Sequence, residues 1–114
     1  MEKNIIIDGR EVPFKASGAT PRLYRRMFGK DIFADMQSLS TQIAKSGGQL
    51  NVESLEVFEN VMYCMAKQAD PDIPDVDTWM DQFEFMSIYD VMPQIIELWN
   101  LNERQTAVPK KKAE

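Results

Sequence analysis

Between Asn51 and Ala69, the residues Leu55, Phe58, Met62, Met65 and Ala69 recur at the three- and four-residue spacing of one helix face. Val57, Val61 and Cys64 widen that stripe, so the spacing predicts a helix at the centre of the core with other elements packed around it. Asn51 is a capping residue at its start, with Glu53 near the positive end of the helix dipole. Pro71 and Pro74 stop the helix and force an irregular loop from Asp70 to Asp75.

The other elements are arranged around this one. Asn4-Ile5-Ile6-Ile7, Asp8-Gly9 and Arg10-Glu11-Val12-Pro13-Phe14 read as a hairpin, because Asp-Gly supplies the two positive-φ positions of a tight turn. Pro13 has no amide donor and marks the second strand as an edge, and so short a hairpin has to lie on the helices or pair with another chain. Thr20-Pro21 signals the start of a helix with Thr20 as cap; Leu23, Tyr24, Met27 and Phe28 form its apolar side, and Gly29 closes it. Asp31 caps a helix whose Ile32, Met36, Leu39 and Ile43 share one face, ended by Ser46-Gly47-Gly48-Gln49. A short fourth helix carries Val76, Trp79, Met80 and Phe83. Ser87 with Asp90 resembles a capping box for a last helix bearing Ile88, Met92, Ile95, Ile96 and Trp99, and Pro93 predicts a kink or a true start near Met92. The expected fold is α+β, mostly helical, with about five helices and a small N-terminal β-hairpin. Residues 1–103 form a single domain, and 104–114 a flexible basic tail.

Charge is sorted along the chain. Residues 1–45 carry eight Lys/Arg against five Asp/Glu, residues 46–103 one against twelve, and residues 104–114 four against one. Complementary surfaces on identical molecules favour head-to-tail contacts that close into rings or run on as filaments. The alternative is internal, with the basic helix packed beside the acidic half and neutralising it. No apolar run approaches the ~20 residues that span a bilayer, and the chain is expected in the cytoplasm.

The inventory argues against catalysis. There is no histidine to serve as general base or ligand. Cys64, the single thiol, lies in the apolar run Val61 to Ala66, where inert packing is expected. Asp70, Asp72, Asp75 and Asp77 invite a calcium reading, but Pro74 stands two residues after Asp72, and no turn glycine or bidentate glutamate follows at the right distance. Turn and cap roles explain them better. No catalytic, cofactor-binding or metal-binding residue is therefore assigned. Lys15, Arg22, Arg25, Arg26 and Lys30, with Tyr24 and Phe28 for stacking, define a second reading as a small nucleic-acid-binding or regulatory protein using the basic helix 22–30. A small enzyme subunit is a third.

The blocks FKASGATPRLYRRMFGKDIFADM (14–36), FENVMYCMAKQADPDIPD (58–75), Trp79 with Asp81-Gln82-Phe83-Glu84, and IIELWNLN (95–102) occur in an order that resembles the tail assembly chaperone family of long-tailed siphophages and prophages of Gram-positive bacteria. The resemblance covers roughly residues 5–103. It implies an α+β fold, no enzymatic activity, and a role in tail morphogenesis: binding the long tape measure protein, keeping it soluble and extended, and promoting tail-tube polymerisation around it. It implies residence in the host bacterial cytoplasm and absence from the mature virion. Its expected partners are the tape measure protein, the tail-tube protein, and further copies of the chain in a ring or filament, without nucleic acid or membrane. Family members are often made in a second, frameshifted form, and Lys110-Lys111-Lys112 fits an adenine-rich slippery run.

Two candidate surfaces follow. For self-association, Arg22, Arg25 and Arg26 of one subunit are expected to meet Asp70, Asp72 and Asp75 of the next. For client binding, Met80, Met86, Tyr89, Met92 and Trp99 supply pliable apolar contacts, since flexible thioethers repack against different partners.

Overall fold

The computed structural model describes residues 1–47 and 49–100. The basic tail, the domain boundary at 103 and the lysine run 110–112 lie outside the described residues.

The chain opens with strands β1 (Glu2–Ile7) and β2 (Arg10–Lys15), antiparallel, with Ile7 opposite Arg10 and Glu2 opposite Lys15. Asp8 and Gly9 take φ values of 55° and 76°, the left-handed pair that a two-residue hairpin demands. Alternation then decides the faces: Ile5, Ile7 and Phe14 are buried, while Glu2, Asn4 and Ile6 face out.

Helix α1 (Thr20–Phe28) starts one residue earlier than expected. Ala19 is the capping residue and makes no side-chain cap bond. Thr20 is instead fully buried inside the first turn, its Oγ1 accepting from the Ser17 N–H at 2.8 Å and donating to Gln68 Oε1 at 2.6 Å. A threonine that can bond both ways across an interface is worth more there than as a cap, which explains the shift. Gly29 (φ 68°) closes α1 by donating to Arg25 O, as expected. Helix α2 (Ile32–Ser46) is capped by Asp31, which accepts from the Phe33 N–H at 3.0 Å. Helix α3 (Val52–Ala69) is capped by Asn51, which accepts from the Ser54 N–H at 2.8 Å.

The central position expected for α3 is observed. Phe58 and the consecutive residues Val61 to Ala66 are buried, with β2, α1 and α2 all packed against this helix. The stretch Val61 to Ala66 is thus enclosed on every side of the helix. Helix α4 (Val76–Met80), capped by Asp75, buries Trp79 against both the hairpin and α3.

The last helix expected from Ser87 is two pieces. Helix α5 (Phe85–Asp90) ends at Val91, whose φ of −94° and ψ of 6° break the helix, and a helical run α6 covers 92–100. Pro93 falls in the first turn of α6, where the donor it lacks has no partner to lose. The true start near Met92 is the one that Pro93 predicts. Ser87 is not a cap: it sits inside α5, and its hydroxyl donates to the Asp8 carboxylate at the hairpin turn. Asp8 also accepts from the Glu84 N–H at 2.6 Å, and these two bonds hold its carboxyl below the usual carboxylate range. Beside it Arg10 donates to Gln82 O at 2.9 Å and lies 4.9 Å from the centre of the Phe83 ring. The hairpin tip is thereby fastened to the segment between α4 and α5, which meets the requirement that so small a sheet rest on something else.

Candidate functional site

The three arginines are exposed because of how α1 is phased. Tyr24 is buried and donates its hydroxyl to Asp35 Oδ2 at 2.7 Å, with the Phe28 ring tilted against it at 5.2 Å, so Arg22, Arg25 and Arg26 are turned outward. Burial against α2 and α3, with Asp35 beside the hydroxyl, raises the Tyr24 phenol well above its ordinary value. Tyr24 is fully buried and Phe28 half-buried against the core, so on the basic helix only part of the Phe28 ring is open to a base. Among the described residues the only ion pair is Lys3 with Glu97, at 3.9 Å, and none of the three arginines pairs with an acidic side chain.

The acidic loop is tied down by hydrogen bonds, and its aspartates are not equivalent. Asp70 accepts from the Asp72 N–H at 3.1 Å, Lys67 donates to Ile73 O at 2.9 Å, and the Tyr63 hydroxyl donates to Pro74 O. Asp75 accepts from Thr78 Oγ1 at 2.7 Å and from the Thr78 N–H; these bonds hold its carboxyl below the usual carboxylate range. Asp70 and Asp75 thus have local structural roles, whereas Asp72 is exposed. No group of three His, Cys, Asp or Glu side chains among the described residues converges as a metal site would require.

The two charged surfaces are neighbours. Thr20, at the start of α1, bonds Gln68 near the end of α3, and Asp70 follows two residues later. The arginine row therefore begins at the same end of α3 as the acidic loop and runs away from it. Of the two arrangements that the sorted charges allow, the packing of α1 on α3 agrees with the internal one in placing the basic helix beside the acidic half, but without an ion pair between its arginines and an acidic side chain among the described residues.

The five client-binding candidates do not form one face. Met86 is 57% exposed, whereas Met80, Tyr89 and Met92 are half-buried against the core. Trp99 is 2% exposed and its ring lies 5.4 Å from Phe33. It follows Ile95 and Leu98 on the inward side of α6, and this corrects its placement as a surface contact. Residues not singled out from sequence carry more apolar exposure. Phe85, 76% exposed, stands before Met86 with its ring 5.9 Å from Tyr89. Phe33 is off the buried phase of α2 set by Ile32, Met36 and Leu39, a signal that was available in the periodicity. It borders an open groove of about 290 Å³ lined also by Met36, Gln37, Ser40, Trp99 and Asn100.

Cys64 behaves as packing. Burial pushes its thiol up to about 12, so it stays protonated at neutral pH. Tyr89 has a distinct electrostatic role. Its hydroxyl donates to Glu59 Oε2 at 2.6 Å, and that bond, with burial and the Glu59 charge, raises the phenol from 10.0 to about 12. A group whose pKa is higher folded than unfolded stabilises the fold below the unfolded value and loses that contribution as pH rises through the folded one. Stability is accordingly expected to fall between about pH 10 and 12, and Tyr89→Phe to flatten that part of the curve. Thermal midpoints measured across this range check it; an unchanged slope in the variant would count against the Tyr89–Glu59 bond.

No family model, no curated protein and no solved structure matches this chain.

Proposed function

We propose that this chain is a noncatalytic phage tail assembly chaperone that binds the tape measure protein, keeps it soluble and extended, and promotes tail-tube polymerisation around it in the host cytoplasm. The ordered blocks over residues 14–102 support the reading, and the mostly helical α+β fold agrees with what the resemblance implies. The observation that carries it is the outward row Arg22, Arg25 and Arg26, which has no acidic partner among the described residues and lies beside an acidic loop. A protein that coats a long client needs many weak contacts between its own copies, and such patches supply them. The client face is Phe85 and Met86, with Tyr89 behind them, since these offer adaptable apolar area on the surface.

Co-expression with the tape measure protein of the same phage tests this. The tape measure protein is expected to stay soluble with the wild-type chain and to precipitate without it. The double change Phe85→Glu and Met86→Glu is expected to lose most of that protection while leaving the helical circular-dichroism signal intact. Precipitation of the tape measure protein in the presence of the wild-type chain overturns the reading.

A further inference from the structure

The two edges of the hairpin are not alike. The Met1 ammonium donates to Ala16 O, and the Ala16 N–H donates to Met1 O, each at 2.8 Å. In an antiparallel ladder, pairs that exchange both bonds alternate with pairs that exchange none. The observed register therefore makes Lys3–Phe14, Ile5–Val12 and Ile7–Arg10 bonded pairs. Glu2–Lys15, Asn4–Pro13 and Ile6–Glu11 are the others, with their N–H and C=O groups pointing away from the hairpin. On β2 that outward row is interrupted at its centre by Pro13, which has no donor. On β1 it is intact: Glu2, Asn4 and Ile6 keep every donor, make no backbone bond to another described residue on that side, and have exposed side chains, Ile6 at 58%.

We propose that β1 is an association edge that pairs antiparallel with β1 of a second copy of this chain. A twofold axis at Asn4 places Asn4 opposite Asn4 and Glu2 opposite Ile6 in both directions, forming roughly six new main-chain hydrogen bonds. The result is one continuous sheet in the order β2-β1-β1-β2. The strand is complementary to itself. Across the seam no like charges face each other: Glu2 lays its methylenes on the exposed Ile6, Asn4 amides meet, and on the other face Lys3 lies opposite Ile5. Addition of β1 to a neighbour's β2 would instead meet Pro13, so the sheet grows no further and the contact closes as a dimer. This contact is independent of the chaperone reading and of the arginine row.

Sedimentation of full-length variants at 1 M salt, where an arginine–aspartate contact is screened and only the β1 contact remains, tests it. Asn4→Pro removes the central outward donor while costing the hairpin no ladder bond, because Asn4 already faces a proline across a pair that exchanges none. It is expected to weaken dimerisation at least tenfold. Glu11→Pro, the equivalent change on the β2 edge, is expected to leave it unchanged. Asn4→Cys supplies a second readout that does not depend on the proline variant folding. The facing Cα atoms would lie about 5.5 Å apart, within disulfide range, so mild oxidation should yield a covalent dimer absent from wild type, whose one thiol is buried. The β1 dimer is expected to persist at 1 M salt, where an arginine–aspartate contact is screened. Equal dimerisation of both proline variants, no covalent dimer from Asn4→Cys, or a strictly monomeric wild type at high concentration overturns the proposal.

Discussion

Trp79→Ala is expected to cost about 3–5 kcal/mol of stability, the range for removing a large buried aromatic side chain, and to lower the thermal midpoint by roughly 10–20 °C in a domain of this size. Trp79 is buried and meets three rings in edge-on or near edge-on geometry: Phe14 of β2 at 6.4 Å, Tyr63 of α3 at 5.7 Å, and Phe83 after α4 at 5.2 Å. One side chain therefore joins the hairpin, the central helix and the segment that also grips the hairpin tip through Asp8 and Arg10. Alanine leaves a hole among rings that cannot collapse together, because each is tied to a different element. Since whole domains are stable by only ~5–15 kcal/mol, this is a large fraction of the total. Met86→Ala is the control: a side chain mostly in water should shift the midpoint little. A drop of only a few degrees for Trp79→Ala would mean that the three elements hold together without it.

The elements legible in the sequence were those with a local physical cause. Asp8-Gly9 turned, Asp31 and Asn51 capped, Gly29 and Gly47 closed their helices in the left-handed conformation, and the wide stripe after Asn51 became the enclosed helix. What could not be read depended on partners far along the chain. Thr20 looked like a cap until Gln68, 48 residues later, claimed its hydroxyl. Ser87 looked like a cap until Asp8 claimed it across 79 residues. Trp99 shares its chemistry with surface anchors, but it belongs to the apolar stripe of the last helix with Ile95, and that stripe is buried. The arginines of α1 are exposed, as their phase in the helix predicts, whereas Asp70 is half-buried; the sorted charges allowed the basic helix either to lie beside the acidic half or to meet a neighbour, and only the packing of α1 on α3 selects the first.

Reversing Arg22, Arg25 and Arg26 together to glutamate is expected to weaken self-association at low ionic strength by roughly tenfold or more and to remove its salt dependence, as measured by light scattering across a salt series. Single exposed ion pairs are weak, so the size of the effect depends on repetition. Adjacency of the two patches provides it. When a basic and an acidic patch lie side by side, a twofold contact lets each copy offer its arginines to the other's acidic loop, so every pair is made twice. The complementary variant is best built with Asp72→Lys and with Asp70→Asn and Asp75→Asn, because asparagine keeps the turn and cap acceptors that those two side chains supply. Mixing it with the glutamate variant should restore much of the association that neither shows alone. Failure of that rescue would show that the arginines act through some surface other than the loop. A twofold contact here closes as a dimer by itself, but with a second, distinct twofold contact at β1 each copy would have two different neighbours. Two such contacts on one chain generate an open filament or a closed ring, the kind of assembly that could follow a long client. Assembly beyond the dimer should then need both surfaces: Asn4→Pro alone and the arginine reversal alone should each stop growth at dimers, and the combination should leave monomers.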